Sequence, residues 1–378
     1  MKRESVLVMQ EKKLKVLNLM TGGQVGGIET LCYNWGKYAP FQNGFAFLTE
    51  RGVVYERMLE ANFDIYDLTQ EGSKISLSKI RKLIMIAKDY DIVMVHHGDP
   101  ILRLYYIILS YHTKCKMVSY VHSCYGDNSQ LSYGRMKNKM YEIIFQKAFD
   151  VSDAVIAVSK AGEKSYEQVY SVPQGKKYIV YNGIGSELIN TGKQNVIDGC
   201  QPYKLLYIGR LNKIKGVDLL LRAVSTLKND YELQLSIVGD GPERGTLESL
   251  MGDLGLEHIV CFCGESMDIQ KYLSNADIFI YPSTCQEVFG ISLVEALSYG
   301  VPCVANCLGG IPEIIQDGYN GILTEETSSE GLTNAIKKLL DCCQNGTVKR
   351  YSDNAKKTAL KYTIDNNCNQ VNDILEKI

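Results

Sequence analysis

The chain has 378 residues, of which 45% are hydrophobic and 22% are charged, and a net charge of -2. This composition is that of a globular protein and excludes an intrinsically disordered or membrane-embedded chain. The length exceeds one compact core and fits two domains of about 180 residues. The charge is uneven, because residues 1–185 hold 24 Lys and Arg against 18 Asp and Glu, and the remainder holds 17 against 25. A basic amino half favours contact with anionic lipid or phosphate, or it is a solvated face without function.

The cysteines and the first residues bear on the cellular compartment. The twelve cysteines include no C-x-x-C pair, and Cys261 and Cys263 lie in an apolar run, which predicts reduced core residues. Residues 1–13 contain only the brief apolar run 6–9, which is too short for a signal peptide. No run reaches the ~18 apolar residues that a membrane span needs. We therefore expect a cytoplasmic protein, and we expect any membrane association to be peripheral, at the inner face of the plasma membrane.

Short apolar runs alternate with helical patterns in both halves of the chain. The predicted strands are 14–20, 44–49, 63–68, 91–96, 116–121, 153–158 and 178–181, followed by 204–208, 233–238, 259–263, 277–281 and 301–305. This alternation predicts an α/β protein with two Rossmann-like, doubly wound parallel sheets. We place the first domain at residues 1–183 and the second at 184–360, with a polar, glycine-rich linker at 183–202. Helical spacing after about residue 347 predicts a final helix, about 360–378, that packs back on the first domain.

The most informative stretch runs from Pro282 to Leu297. A buried strand at 277–281 ends at the proline, a loop with Glu287 follows, and helical spacing starts near Gly290, so that Glu295 lies in the first helical turns. Ligands of open α/β sheets bind outside the carboxyl ends of the strands, where helix amino ends offer N–H groups to anions. A sugar nucleotide suits this place, since its diphosphate needs N–H donors and its hydroxyls need carboxylate acceptors.

Two further features end strands of the amino half. The first strand runs into residues 21–29, where four glycines allow backbone to approach a ligand closely, although a tight turn without ligand has the same pattern. His96 and His97 end one strand and His122 ends the next. A histidine there hydrogen-bonds a sugar hydroxyl or, when protonated, donates to a phosphate, and the alternative is a satisfied core side chain. Neighbouring strand residues face opposite sides, so we expect no metal at the adjacent pair.

Two turns of the carboxyl half carry charge or glycine. Arg210 follows Gly209, and Lys215 precedes Gly216, in the loop after the first strand. The arginine can fork two phosphate oxygens while the lysine acts as a point charge, unless both simply solvate the surface. The turn 239–244 contains Gly239 and Gly241, and it either receives phosphate or ribose or is a plain connection between strand and helix.

Taken together, these motifs resemble the family-4 retaining glycosyltransferases over most of the chain. The resemblance rests on the Gly26-Gly27-x-Glu29 start, the loops 209–216 and 238–242, Asn182 at the hinge, Gly309-Gly310 with Glu313 and, above all, Glu287 with Glu295. The Gly-Gly-Ile-Glu start is most similar to the branch that builds bacterial capsular polysaccharides and exopolysaccharides. Val288 departs from the family's frequent glycine and Gly185 from its frequent aspartate, which bears on sugar choice and on hinge contacts.

The resemblance implies a GT-B fold, with two Rossmann-like domains that face each other across a cleft, the donor on the carboxyl domain and the acceptor on the amino domain. It implies that Glu295 holds the ribose, that Glu287 holds the hexose, that Arg210 and Lys215 neutralise the diphosphate, and that His122 lies beside the reacting sugar. The remaining residues that it implies are Gly27, Gly209, Gly239, Gly241, Val288, Phe289 and Gly290 on the donor side, and Gly26 and His97 on the acceptor side.

The chemistry implied is transfer of a hexose or N-acetylhexosamine with retention of configuration, in which a diphosphate oxygen takes the acceptor proton. The sequence has no D-x-D motif, and we expect neither a metal nor another cofactor. Glu287 as a covalent nucleophile is the rival mechanism. The expected partners are a nucleotide sugar, with UDP the commoner choice, and a lipid-linked glycan acceptor, with no nucleic acid. Two alternatives are a sugar-nucleotide 2-epimerase of the same architecture, which needs no acceptor, and an inactive partner subunit of another transferase.

Overall fold

The computed structural model describes residues 13–24, 26–96, 98–125, 135–189, 201–266 and 268–378, without the side chains of residues 135 and 136. In this part of the chain a seven-stranded parallel sheet has the order β3-β2-β1-β4-β5-β6-β7. Its strands are β1 (Lys15–Met20), β2 (Gln42–Phe47), β3 (Asp64–Asp67), β4 (Ile92–Val95), β5 (Lys116–Val121), β6 (Ala154–Ala157) and β7 (Lys177–Ile179).

The carboxyl half of the described chain forms a second parallel sheet, which has six strands in the order β10-β9-β8-β11-β12-β13. Its strands are β8 (Tyr203–Ile208), β9 (Leu233–Val238), β10 (Val260–Gly264), β11 (Ile278–Tyr281), β12 (Cys303–Asn306) and β13 (Gly321–Thr324). The predicted architecture of two doubly wound parallel sheets is therefore confirmed. Strand β13 was not predicted, because it opens with Gly321 directly after the turn residues 317–320, which leaves only Ile322 and Leu323 as an apolar run.

Helices connect the strands on both faces of each sheet. They are α1 (Gly27–Tyr38), α2 (Val53–Glu60), α3 (Leu77–Ala87), α4 (Pro100–His112), α5 (Arg135–Asp150), α6 (Lys160–Glu167), α7 (Ser186–Ile189), α8 (Val217–Leu227), α9 (Arg244–Asp253), α10 (Gln270–Leu273), α11 (Ile291–Ser298), α12 (Ile311–Ile314), α13 (Ser329–Gln344), α14 (Val348–Ala359) and α15 (Ile364–Leu375). Central strands such as β4, β6 and β11 are buried along their whole length, since helices cover both of their faces.

The end of the chain forms two helices, of which α14 packs against α11 of the carboxyl half and α15 against α1 of the amino half. The sequence pattern after residue 347 runs through both, but Thr363 starts α15 anew, and its side chain accepts a hydrogen bond from Asn366 N at 3.1 Å. Asn367 then fixes α15 on the amino half: its Oδ1 accepts from Trp35 Nε1 at 2.7 Å and its Nδ2 donates to Tyr181 O at 2.8 Å. The predicted domain boundary at 183/184 falls between β7 and β8 and stays a prediction.

The cysteines differ in part from the prediction. All described cysteines are free thiols, and those at 32, 124, 303, 343 and 368 are buried. Cys261, however, is exposed and Cys263 is only partly buried. The reason is that β10 is an edge strand, so that an apolar run there is covered less completely than in the centre of the sheet. Among the helices described here, none combines the length and the apolar character that a membrane crossing requires.

Candidate active site

The loop between β11 and α11 is held in place by a buried amide. Asn306, at the carboxyl end of β12, is fully buried, and its Nδ2 donates to Pro282 O at 2.9 Å and to Ser283 O at 3.0 Å. Its Oδ1 accepts from Thr324 Oγ1 at 2.8 Å, which fixes the orientation of the amide. Sequence reasoning did not assign this role, although a polar residue directly after an apolar strand is the signal that marks it.

Glu287 lies at the centre of this loop and is 9% exposed. Its Oε1 accepts hydrogen bonds from Ser283 Oγ at 2.6 Å and from the ammonium group of Lys215, with which it forms an ion pair. The backbone on either side is equally constrained, because Gly310 N donates to Glu287 O at 2.6 Å. Gly309 has a φ of 58°, and a Cβ there would lie 2.2 Å from Glu287 O, so only glycine fits. The carboxylate is thus fixed by its side-chain partners and by its backbone.

Lys215 reaches Glu287 because its own loop packs against the end of β11. Gly216 has a φ of 66°, and a Cβ there would lie 2.1 Å from Pro282 O. Thr284 N also donates to Ile214 O at 2.8 Å, which joins the two loops. The Lys215 ammonium lies 5.8 Å from the centre of the Tyr281 ring. The structure therefore brings together two residues that are 72 positions apart and that the sequence had assigned to one site.

Within the described residues, the side chains of Arg210 and Glu295 have no hydrogen-bond or ionic partner. Arg210 is exposed, and no hydrogen bond or ion pair of its guanidinium is found in the described part of the chain. Glu295 is only partly exposed, on the second turn of α11, and within the same described residues its carboxylate has no hydrogen-bond or ionic partner. Burial raises the pKa of Glu295 to about 7. The Glu295 carboxylate, partly exposed and without a partner among the described residues, can accept hydrogen bonds from a ligand.

The glycine turn after β9 is shaped by close packing against the Arg210 loop. A Cβ on Gly239, whose φ is 135°, would lie 2.0 Å from Gly209 O, and one on Gly241 would lie 2.2 Å from Leu211 O. Asp240 in this turn accepts from Gly241 N at 2.7 Å and pairs with Arg244 at 2.9 Å, and these bonds hold its pKa below the ordinary value. Backbone packing accounts for Gly239 and Gly241, and their contact with a donor stays a prediction.

The amino domain meets this site at its glycine-rich start. A Cβ on Gly27, the first residue of α1, would lie 3.2 Å from Ile291 Cδ1, at the start of α11. The predicted donor-side residues of the two halves are therefore close together at this point. Gly26, the residue before α1, has an extended conformation that any residue can adopt. His97, predicted on the acceptor side, lies outside the described residues.

A second contact between the two halves surrounds the amino end of α6. The Glu313 carboxylate, from α12, accepts from Lys160 N at 3.0 Å and Ala161 N at 2.8 Å, and from Tyr181 Oη at 2.8 Å. The sequence predicted only that this turn shapes the crevice. Val288 packs beside it, with Cγ1 2.9 Å from where a Cβ on Gly162 would lie. The valine that departs from the family pattern thus contacts the amino domain.

Phe289 and Gly290 complete the entry to α11. The Phe289 ring is 8% exposed and packs 5.6 Å from the Tyr362 ring and 6.2 Å from the Tyr181 ring. Its side chain belongs to the core, so only its backbone can meet a ligand. Gly290 is the residue before α11, and its O accepts from Leu293 N at 3.0 Å. Leu293 N thus has a partner, whereas the N–H groups of Ile291 and Ser292 lie too early in α11 to bond a carbonyl of the helix.

Two of the three described histidines of the amino half, His96 and His122, lie side by side. His96 Nδ1 and His122 Nε2 are 3.1 Å apart, and His96 Nε2 is 3.0 Å from Asn18 Oδ1. His96 is 1% exposed, whereas His122 is partly exposed and stacks on Tyr120 with ring centres 4.6 Å apart. Among the described residues, no group of three or more His, Cys, Asp or Glu side chains is arranged to hold a metal ion.

Two family models match the chain. "Glycosyltransferase Family 4" matches residues 25–188 and "Glycosyl transferases group 1" matches residues 193–358. Glycosyltransferase MJ1069 of Methanocaldococcus jannaschii is 30% identical over 287 residues, which cover 71% of this chain and 70% of the relative. N-acetyl-alpha-D-glucosaminyl L-malate synthase of Bacillus anthracis is 35% identical over 136 residues, but these span only 36% of this chain and 35% of that enzyme.

Among solved structures, that of Alr3699/HepE of Anabaena, in complex with UDP and glucose, is similar with a TM-score of 0.82 and 21% identity. The match covers 97% of this chain and 100% of the other. It agrees with the two parallel sheets described above and with the GT-B fold that the resemblance implied. With this fold and these matches, the chain belongs to the GT-B glycosyltransferases of the family-4 type.

Proposed function

We propose that the protein is a retaining glycosyltransferase, which moves a hexose or N-acetylhexosamine from a nucleotide-diphosphate sugar to a glycan acceptor. The observation that carries this proposal is the pair Glu287 and Glu295 on one loop and helix, with the Lys215 ammonium bonded to the first carboxylate. A site with two carboxylates, two cations and a helix amino end suits a sugar diphosphate, since it offers acceptors to hydroxyls and donors to phosphate.

In this proposal the cations and N–H groups take the charge of the leaving group. Arg210 and Lys215 neutralise the diphosphate, and the first N–H groups of α11 contact the donor near Phe289 and Gly290. Preorganised donors of this kind typically contribute about 10²- to 10³-fold each to the rate. Glu295 accepts hydrogen bonds from the ribose, and its unpartnered carboxylate supports that role. Because these groups stabilise the departing charge, the reaction needs no metal ion.

Retention of configuration follows if the acceptor attacks from the face that the diphosphate leaves. The bond between the anomeric carbon and the diphosphate oxygen breaks, the bond to the acceptor oxygen forms, and a diphosphate oxygen takes the acceptor proton. Glu287 orients the hexose in this scheme. Its Oε1 already accepts from Ser283 and Lys215, and a carboxylate oxygen so bonded is a weaker nucleophile, so that a covalent role would fall to Oε2.

UDP-sugars are the proposed donors. Support comes from the Anabaena protein of the same fold, whose structure holds UDP and glucose. The N-acetylglucosaminyl relative of Bacillus anthracis supports an N-acetylhexosamine as the sugar. The Gly-Gly-Ile-Glu start of α1 supports a role in capsule or exopolysaccharide synthesis, where acceptors are lipid-linked glycans. A membrane-bound acceptor requires the protein to work at a lipid surface.

The outer face of α3, α4 and α5 is the surface that we propose for that contact. Large apolar side chains are exposed there: Leu77 by 71%, Met85 by 69%, and Tyr111 and Ile143 by 63% each. They lie among exposed cations at positions 81, 82, 88, 114, 137, 139 and 147. Apolar side chains within a basic surface match the headgroups and acyl chains of an anionic membrane. We expect binding to vesicles that contain phosphatidylglycerol, and a loss of binding in Leu77→Ser with Met85→Ser; equal binding to neutral vesicles would contradict the proposal.

The test of the reaction is product analysis with a panel of UDP- and GDP-sugars, with and without a lipid-linked acceptor. The proposal predicts an acceptor-dependent product whose anomeric configuration, read by NMR, is that of the donor. An inverted product would exclude retention. Release of an epimerised sugar in the absence of acceptor would favour the 2-epimerase, and the absence of any reaction or donor binding would favour the inactive partner subunit.

A further inference from the structure

Two cysteines of the carboxyl half, which have no part in the proposed reaction, lie in contact with each other. Cys263 Sγ is 3.7 Å from Cys261 Sγ and 3.6 Å from Cys261 O. Both residues are free thiols on the edge strand β10, and Cys261 is exposed while Cys263 is partly buried. The exposed position of Cys261 makes the pair accessible to a solute from outside the protein.

A β-bulge lies at the second cysteine. The register of β10 against β9 skips from Phe262 to Gly264, so that Cys263 is the extra residue between them. Gly264 has a φ of 72°, the left-handed conformation that glycine adopts in bulges of this kind. Bulges at sheet edges re-aim a side chain. Here the thiol of the bulged residue lies against the thiol of Cys261, two positions earlier on the same strand.

The separation of the two sulfur atoms fits a shared metal ion. Zn²⁺ binds thiolates at ~2.3 Å in tetrahedral geometry, which places two of its sulfur ligands ~3.8 Å apart. The observed distance of 3.7 Å between Cys261 and Cys263 matches this value. A disulfide requires the sulfurs to approach to ~2.04 Å, whereas a zinc ion accepts them where they are.

The neighbours of Cys263 suit a thiolate whose proton has been displaced by an ion. Burial and the Cys261 thiol raise the pKa of Cys263, and hydrogen bonds from the hydroxyl groups of Tyr272 and Ser236 partly offset the rise. Cys263 therefore keeps its proton near neutral pH until a metal ion takes the place of that proton. The two hydroxyl groups can then donate to the sulfur, as the outer hydrogen bonds of metal sites do.

We propose that Cys261 and Cys263 form a binding site for a thiophilic metal ion, Zn²⁺, which two thiolates hold while water fills the other positions. Two S–H bonds break, two Zn–S bonds form, two protons are released, and no electrons are transferred. Among the described residues, no group of three or more His, Cys, Asp or Glu could hold a metal ion, so the described chain contributes two ligands. A structural zinc site has four ligands, and with only two this site binds its ion reversibly.

The site is separate from the carboxylates of the candidate active site. In the sheet order, β9 and β8 lie between β10 and β11, and β11 leads into the loop of Glu287. An ion at the two cysteines therefore takes no part in sugar transfer. The inference goes beyond the proposed function and stands or fails independently of it.

Titration of the reduced full-length protein with Cd²⁺ tests the site, because Cd²⁺ replaces Zn²⁺ at thiolates and gives an ultraviolet charge-transfer band. We expect the band to reach its plateau at one ion per chain and to disappear when Zn²⁺ is added. A second ligand on the same chain acts at a high effective concentration, so Cys261→Ser and Cys263→Ser should each weaken binding about 10²-fold. Cys307→Ser, which removes an exposed cysteine elsewhere, is the matched control and should bind as the wild type does.

Thermal melting without metal checks that the three variants are folded. Alkylation followed by peptide mapping then identifies the ligands: Zn²⁺ should protect Cys261 and Cys263 and leave Cys307 as reactive as before. Absence of the band, or equal binding by the wild type and Cys261→Ser, would overturn the proposal. It would also be overturned if the pair bound no ion and closed to a disulfide in the presence of glutathione disulfide, since the two thiols would then be a redox pair.

Discussion

Glu295 gives a prediction that links the stability of the fold to the binding of the donor. Its pKa is raised from 4.5 to about 7 because the carboxyl is buried beside the helix start. Each pKa unit corresponds to about 1.36 kcal/mol, so ionisation of Glu295 costs up to about 3 kcal/mol more in the folded protein than in the unfolded chain. Between pH 4.5 and 7 the folded state keeps a proton that the unfolded state has lost, so this group lowers stability as pH rises through that window.

Glu295→Gln has the same shape and no charge, so it should escape this cost. We expect the variant to be more stable than the wild type at pH 8, and the difference in the free energy of unfolding to be about 2 to 3 kcal/mol larger at pH 8 than at pH 5. Partial exposure of the side chain makes this figure an upper bound. Denaturant unfolding of both proteins at the two pH values measures it.

The same variant should lose most of the stabilisation that a sugar nucleotide gives the wild type, since an amide is a poorer acceptor for the ribose hydroxyls. A substitution that raises the stability of the fold and weakens ligand binding indicates that the original side chain, here Glu295, serves function rather than stability. The reasoning would be refuted if the difference in the free energy of unfolding between Glu295→Gln and the wild type did not change with pH. It would also be refuted if the variant were less stable than the wild type at pH 8 but not at pH 5.

Four further predictions concern the same site. Glu287→Gln removes the ion pair with Lys215 and should lower kcat/KM about 10²- to 10³-fold, and near-normal turnover would remove Glu287 from any essential role. Gly309→Ala and Gly318→Ala both place a side chain at positive φ, which destabilises the fold by about 1 kcal/mol. Only the Cβ at position 309 would meet the Glu287 backbone. We therefore expect Gly309→Ala to abolish donor binding and Gly318→Ala to keep it. Glu313→Gln should lower thermal stability by about 0.5 kcal/mol at low salt and by less at high salt, and an effect independent of salt would argue against a charge at the amino end of α6. Turnover measured with EDTA should equal turnover without it, and a large loss would contradict metal-independent transfer.

The architecture could be predicted from the sequence because it rests on local patterns. Apolar runs buried on both faces and ended by proline or glycine mark strands such as β11, and helical spacing marks α11, so that Glu287 falls in a loop and Glu295 in a helix. The assignment of Lys215 and Glu287 to one site came from the family resemblance, since a separation of 72 positions leaves no local pattern.

Contacts that depend on the packing of distant elements could not be predicted. The Glu313 carboxylate reaches the amino end of α6 only because the two halves face each other there, and nothing in its own segment indicates the partner. Asn18 likewise lies inside an apolar strand. Its side chain is hydrogen-bonded to Asn43 on the neighbouring strand and to His96 at the end of another, and neither partner can be read from its own segment. The exposure of Cys261 depends on its place at the sheet edge, which is a property of strand order rather than of the run itself.

The most direct test of the proposed function is a thermal-shift screen of the purified protein against UDP- and GDP-sugars, with and without EDTA, beside Glu295→Ala. We predict that one sugar nucleotide stabilises the wild type, that EDTA leaves this shift unchanged, and that Glu295→Ala loses it. If no sugar nucleotide stabilises the wild type, or if Glu295→Ala keeps the full shift, the proposed donor site is wrong.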